Sequence, residues 1–266
     1  MNIMFCGDKG VCQGIFMSTL SICKNTRGSI TIYILTATVD GREAIPQSFA
    51  NELRAVVKKK NGNNEVVLLN ITAQFQQYLP LANMGTRFTP LCMLRLFADT
   101  VPQIPPKILY LDTDVLCNGE FETLYDMDIR NCDIAGVPDR YGKWFFGNIL
   151  LHDYLNSGVL LMNMANIRRN GLFEKCRRMC REKKMFLPDQ SALNKLAVKQ
   201  KIPGKYNNQG KMKKDTVFKH FTTFFRFFPR FRAVTIKPWQ VDAVHNELHI
   251  FTFDDIIEEY QRSRKR

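Results

Sequence analysis

Apolar and polar positions follow two rhythms along the first half of the chain. Short runs rich in apolar and β-branched residues fall at 3–6, 30–36, 66–71 and 107–111. Each has strand length and contains no proline. Between them, residues 11–24 place Val11, Ile15, Leu20 and Cys23 at helical spacing. Residues 49–60 read as a helix with its charges gathered toward the C-terminal end, and 90–99 as another. Further on, 132–137 and 158–162 are strand signals, the latter preceded by Asn156-Ser157, and 165–184 and 189–199 are helical. Residues 139–153, "DRYGKWFFGNILLHD", have no period and mix aromatic with polar side chains, the mark of a long functional loop. The remainder is irregular, Phe-rich and basic, ending in a helix around Asp254-Asp255. Alternating strands and helices predict an α/β fold with a mostly parallel sheet flanked by helices. Without an internal repeat or low-complexity linker, the pattern predicts one domain over 1–240. The last residues, 241–266, would form a basic C-terminal helix or tail.

Composition narrows the function. The 266 residues include twenty Phe, enough for a sizeable core, and Lys and Arg outnumber Asp and Glu by 38 to 25. That excess favours a phosphate-bearing ligand, a nucleic acid or an anionic membrane surface. None of the eight cysteines forms a CxxC pair, and several lie in apolar runs where a thiol packs as a small hydrophobe. No secretory signal opens the chain and no apolar stretch would span a bilayer. The expectation is a cytosolic protein with reduced thiols and no zinc site. Neither GxGxxG nor GxxxxGK[ST] occurs. Gly7-Asp8-Lys9-Gly10 does sit between a predicted strand and helix, where open α/β sheets bind ligands.

The sharpest chemical signal is "KILYLDTDVLCNG", residues 107–119. A buried strand ends in Asp112 and Asp114, two like charges that repel unless a positive group lies between them. A strand end with an Asx-type turn is the plain reading. Asp112-Thr113-Asp114-Val115-Leu116 also fits the first motif of haloacid-dehalogenase-type phosphatases. There the first Asp attacks phosphorus and the second is a general acid or base. That motif normally ends the first strand of its domain, whereas here about a hundred residues precede it. A later Asp254-Asp255 pair lies on what reads as a solvated helix face. In a nucleotide-sugar transferase, both carboxylates would instead serve a metal ion bridging two phosphates.

Taken together, the pieces resemble glycosyltransferase family 8, which contains the bacterial lipopolysaccharide and lipooligosaccharide hexosyltransferases and the glycogenins. The resembling segments are "IMFCGD", "LRLFADTVPQIPPKILYLDTD", "LNSGVLLMN", "LPDQSALN", "KHFT" and "KPW", in order from Asn2 to about Trp239. The resemblance implies a GT-A fold: a Rossmann-like mixed central sheet flanked by helices, with a nucleotide half over about 1–118, an acceptor half over about 119–240 and a basic C-terminal extension. It implies retaining transfer of galactose or glucose from a UDP-sugar to a saccharide or lipid-linked saccharide, with Mn²⁺, or Mg²⁺ as the other candidate ion. By position, Asp8 would meet uracil; Arg95, Asp112, Thr113, Asn156 and Lys237 would serve the donor, Lys237 at its diphosphate. Asp112, Asp114 and His220 would hold the metal. Asp189 and Gln190 would stand at the sugar as the catalytic pair. The implied mechanism is attack on the face the leaving group vacates, with a β-phosphate oxygen taking the acceptor proton.

Each position has a plain alternative. Arg95 can pair with Asp99, Asn156 can cap a strand, Asp189 can cap the following helix and His220 can be a core histidine. Two departures stand out. Gly10 occupies a position that is often polar in the family. The sixteen residues "FTTFFRFFPRFRAVTI" separate His220 from Lys237, where close relatives have a short glycine-containing turn. Within that insertion, Phe224, Phe225, Phe227, Phe228 and Phe231 interleave with Arg226, Arg230 and Arg232. They form either part of the C-terminal core or a patch for the inner, anionic face of a membrane. No nucleic-acid-binding motif is present, so nucleic acid is not an expected partner. A non-enzymatic basic binding protein remains the other class.

Overall fold

The structure is a computed structural model and describes residues 1–85, 90–141, 153–226, 228 and 230–264. In chain order, β1 (Asn2–Gly7) leads through a 3₁₀ turn into α1 (Cys12–Lys24). There follow β2 (Thr31–Thr36), α2 (Gln47–Lys60), β3 (Glu65–Asn70), α3 (Thr72–Gln77) and a 3₁₀ helix (Pro90–Thr100). Next come β4 (Lys107–Leu111), β5 (Val115–Cys117), α4 (Glu122–Tyr125), β6 (Ile134–Pro138) and β7 (Leu155–Asn163). Then α5 (Met164–Asn170), α6 (Leu172–Glu182), α7 (Pro188–Leu196) and β8 (Lys199–Lys201) precede β9 (Phe218–His220), β10 (Phe224–Arg226) and β11 (Arg232–Val234). Helices α8 (Val241–Leu248) and α9 (Asp254–Arg264) complete the described elements.

Seven strands form one mixed sheet in the order β3-β2-β1-β4-β7-β6-β8. Strands β1 to β4 run parallel, while β7 is antiparallel to both its neighbours, β4 and β6. Both faces are buried, which explains the continuous apolar runs. On β4, Leu109 and Leu111 join the core that includes α1, α2 and α9, whereas Ile108 and Tyr110 join the core that includes the 3₁₀ helix, α6 and α7. This period of two decides which face Asp112 takes, since it follows Tyr110 by two residues.

Several details depart from the sequence reading. The helix expected over 165–184 is two helices, because Gly171 takes the left-handed conformation (φ 64°) that ends α5. The helix at 90–99 is a 3₁₀ helix, in which the Cys92 carbonyl accepts from Arg95 Nε. Residues 115–117, to which the sequence reading assigned no strand, form β5, whose partner β9 lies about a hundred residues away. The insertion forms an antiparallel hairpin, with Phe224 opposite Val234. Phe224 packs against the core, whereas Phe228 and Phe231 are 88% and 64% exposed; Phe227 lies outside the described residues. In the 241–266 segment, Val244, Ile256 and Ile257 are buried in the core, and Tyr260 meets Phe16 edge-on at 5.4 Å. The loop at 139–153 is described only at 139–141 and 153. All eight cysteines are free.

Candidate active site

Three strand ends converge at one edge of the sheet. Strands β1 and β4 run parallel side by side, so Asp8 and the Asp112-Thr113-Asp114 turn leave from the same edge. Because β7 is antiparallel, its beginning lies there too. Leu111 is in register with Val159, and the Asp112 amide donates to the Gly158 carbonyl at 2.8 Å. Pairing of Val115 with His220 then brings the imidazole beside the turn. Two glycines allow this crowding. A Cβ on Gly158 would overlap the His220 ring and stand 3.0 Å from Asp112 Oδ2. One on Gly14 would overlap the Thr113 carbonyl, so α1 needs a glycine there to pack under the turn.

Each aspartate has one oxygen engaged and one turned inward. Asp112 Oδ1 accepts from Tyr110 Oη at 2.7 Å and Arg95 Nη2 at 3.0 Å. Asp114 Oδ2 accepts from Lys237 Nζ at 2.5 Å. The other two oxygens face His220 Nε2, Asp112 Oδ2 at 3.7 Å and Asp114 Oδ1 at 3.3 Å. Burial would raise the Asp114 pKa, but His220 and Lys237 outweigh it and hold the carboxyl well below the usual range.

The imidazole's orientation follows from its neighbours. Asn207 Nδ2 donates to Asn156 Oδ1 at 2.9 Å, which leaves Asn207 Oδ1 to accept from His220 Nδ1 at 3.1 Å. Nε2 is therefore turned toward the two aspartates, and as a neutral imidazole it would offer its lone pair to a cation held between them. Two carboxylate oxygens and one imidazole nitrogen, with ligand atoms all within 4.8 Å of one another, fit a divalent cation. The engaged oxygens anchor the ligands from outside. Asp112, Asp114 and His220 would hold the ion.

Arg95 and Asp189 form a buried pair beside this cluster. Arg95 is 4% exposed, lies 4.1 Å over the Tyr110 ring, and donates to the Ser157 carbonyl at 2.6 Å. Its Nε is 3.2 Å from Asp189 Oδ2, an oxygen that makes no hydrogen bond among the described residues. Burial raises the Asp189 pKa against the pull of Arg95. Asp189 does not cap its helix: α7 starts one residue earlier at Pro188, and Leu187 makes no side-chain cap. Nor does Arg95 pair with Asp99, whose partner is Arg177 at 2.5 Å.

Asn156 and Gln190 meet at a residue the sequence reading did not single out. Asp139 Oδ2 accepts from Asn156 Nδ2 at 2.8 Å and Gln190 Nε2 at 3.2 Å. Gln190 Oε1 accepts from the Ser157 amide at 2.9 Å. At the far end, Asp8 accepts from the Gly10 amide at 2.9 Å and from Arg42 at 3.4 Å. Thus Asp8, Arg95, Asp112, Thr113, Asp114, Asn156, Asp189, Gln190, His220 and Lys237 all line one cavity of about 570 Å³. Arg42, Tyr110 and Asp139 line it too, and Asn207 braces it from behind. Only the aperiodic loop hinted at Asp139; nothing in the sequence marked Asn207 or Arg42. The phosphatase reading lacks its second acidic pair, since Asp254 binds His245 and Asp255 binds Lys24, away from the cavity.

Comparison with known proteins bears on this geometry. A family model described as "Glycosyl transferase family 8" matches residues 2–241. A Haemophilus influenzae chain is 23% identical over 192 residues, 66% of this chain and 52% of its own length. The lipopolysaccharide 1,2-glucosyltransferase of Escherichia coli K12 is 22% identical over 263 residues, 92% of this chain and 74% of that protein. Among solved structures, LgtC, a galactosyltransferase in complex with donor and acceptor sugar analogues, superposes with a TM-score of 0.72 at 18% identity. That match covers 98% of this chain and 96% of that one. The chain spans between about a quarter and about half the length of the first three curated relatives it matches.

Proposed function

The chain belongs to glycosyltransferase family 8 and has the GT-A fold, and from that premise we propose that it moves a hexose, galactose or glucose, from a UDP-sugar to a saccharide acceptor, with retention at the anomeric carbon and with Mn²⁺ or Mg²⁺. The observation that carries this reading is the cluster of inward-turned Asp112 Oδ2, Asp114 Oδ1 and His220 Nε2, with the Lys237 ammonium at its rim. Such a cluster suits a diphosphate and a cation, whereas an Asx turn would need neither the imidazole nor the ammonium. A bound cation would neutralise charge developing on the departing nucleoside diphosphate.

The chain's own groups divide the remaining work. Asp8 and Arg42 stand at the end suited to the base and ribose. Lys237 supplies a second positive charge for the diphosphate, and would exchange Asp114 for a phosphate oxygen when the donor binds. Asn156 and Gln190 offer amide groups to sugar hydroxyls. Asp189 Oδ2, buried and without a hydrogen bond among the described residues, is placed to accept from one of them.

The route to retention depends on what could act as nucleophile. The Gln190 amide has little free electron density to donate, and Asp189 is engaged by Arg95. Same-face entry of the acceptor hydroxyl, its proton passing to a β-phosphate oxygen, asks for neither. The reading extends to where the enzyme works. No helix among the described residues is long and apolar enough to cross a membrane. The +13 net charge and the exposed Phe228 and Phe231 beside Arg230 and Arg232 support a cytoplasmic enzyme peripheral to the anionic inner face of the cell membrane, with a lipid-linked saccharide as acceptor. The test is cation-dependent release of UDP from UDP-galactose or UDP-glucose, without release of phosphate from simple monoesters.

A further inference from the structure

The cavity extends past the amides assigned to the donor sugar. Asp139, which gathers Asn156 and Gln190 on one carboxylate oxygen, uses the other to accept from the Tyr141 amide at 2.8 Å. Tyr141 in turn meets the hairpin of β10 and β11. Its hydroxyl accepts from the Phe225 amide at 3.4 Å, and the two rings lie edge to face with centroids 4.8 Å apart. Phe231, immediately before the opposite strand, stacks on Phe225 at 5.5 Å with 14° between the planes. Tyr141 and Phe225 line the cavity, together with Thr222 and Thr223 at the hairpin's base. A continuous path of contacts thus runs from the sugar-side amides to an aromatic wall built by the insertion.

The chemistry of the two ends differs. Asp8, Arg42, Lys237 and the inward-turned carboxylates occupy the region suited to a charged nucleotide. The hairpin side offers, among the described residues, the rings of Tyr141 and Phe225 and two threonine hydroxyls. A pyranose presents C–H groups on its faces and hydroxyls round its edge, so it packs on aromatic surface while its rim makes hydrogen bonds. The nearest described cations, Arg140 at 5.5 Å over the Tyr141 ring and Arg226 on β10, do not line the cavity.

Resting on the transferase reading, we propose that Tyr141 and Phe225 form the acceptor subsite, an aromatic wall for the terminal sugar ring of a saccharide. The insertion between His220 and Lys237 is then a specificity element. It carries Lys237 back to Asp114 at its end and presents Phe225 to the acceptor in its first strand.

Saturation-transfer NMR tests this with the full chain, UDP and Mg²⁺, using a panel of methyl glucosides and galactosides and their disaccharides. Magnesium keeps the sample diamagnetic. Wild type is expected to transfer saturation from aromatic protons to the ring protons of at least one saccharide. Phe225→Ala and Phe225→Leu should each weaken that saccharide's binding tenfold or more, while the Kd for UDP changes less than twofold. The leucine variant keeps apolar bulk and guards against misfolding, and its melting temperature should stay near that of wild type. Unchanged saccharide binding in the leucine variant overturns the inference, as does failure of every saccharide to bind wild type that binds UDP. Loss of anionic-vesicle binding in Phe225→Leu with saccharide binding intact would make the hairpin a membrane patch instead. Failure of wild type to bind UDP would sink the transferase reading itself, a separate result.

Discussion

Replacing Arg95 by methionine removes the charge that holds two carboxylates in the interior. Arg95 and Asp189 are 4% and 6% exposed at their side chains and 3.2 Å apart, and Arg95 also binds Asp112 at 3.0 Å. Breaking a buried pair by deleting one partner costs about 3–5 kcal/mol. The carbonyls of Ser157 and Cys92 also lose donors, at 2.6 and 3.1 Å. A total of about 4 kcal/mol corresponds to a fall in Tm of roughly 8–12 °C for a domain of this size. The loss should depend on pH with a definite sign. The Asp189 pKa is already raised by burial, and removing Arg95 raises it further. A carboxyl whose folded pKa exceeds its unfolded value contributes stability that is present below about pH 3.9 and lost as pH rises through the folded value. The gap between variant and wild type should therefore be widest at neutral pH and narrow toward pH 4–5. Adding Asp189→Asn should recover about 1–3 kcal/mol, because the uncompensated charge disappears. Urea unfolding followed by circular dichroism at several pH values measures all three quantities. A pH-independent loss below about 1 kcal/mol, or no recovery in the double variant, would refute the buried-charge reasoning.

Gly158→Ser should displace the His220 ring and weaken Mn²⁺ binding at least tenfold, read by paramagnetic resonance titration, with a stability loss of about 1–3 kcal/mol from overpacking. Unchanged affinity would remove His220 from the metal set. Gln190→Ala should lower the turnover of UDP-sugar far more than it weakens UDP binding, since the proposed reading puts it at the sugar; an unchanged rate in steady-state kinetics would exclude it from the site.

The parallel half of the fold was legible because buried strands leave unbroken apolar runs, and 107–111 coincides with β4. Asp112 and Asp114 stood out because two carboxylates ending such a run need an explanation. His220 and Lys237 drew notice only as members of an ordered set, and what brings them to Asp114 is nonlocal. Strands β5 and β9 have three residues each, too few to carry a period, and their pairing spans about a hundred residues. Asp139 and Asn207 were hidden for a different reason. Both act through side-chain hydrogen bonds from short connecting segments, Asp139 just after β6 and Asn207 at the end of a four-residue 3₁₀ helix, where polar residues are ordinary. Gly158 looked like part of an apolar strand, and its need for an absent Cβ arises only once His220 lies against it. The split of α5 from α6 turned on Gly171 alone, a residue that a helix tolerates until its φ is known.

The assignment of the cavity to donor chemistry can be decided by UDP release. Full-length protein would be incubated with UDP-galactose and with UDP-glucose, each with Mn²⁺ and with excess chelator, alongside Asp114→Asn. Wild type should release UDP from at least one donor only when the cation is present, and Asp114→Asn should lose at least 100-fold of that rate, about 2.7 kcal/mol of transition-state stabilisation. Release that persists in chelator or in the variant, or no release from either donor alongside phosphate release from simple monoesters, would contradict a metal-dependent UDP-sugar site at Asp112, Asp114 and His220.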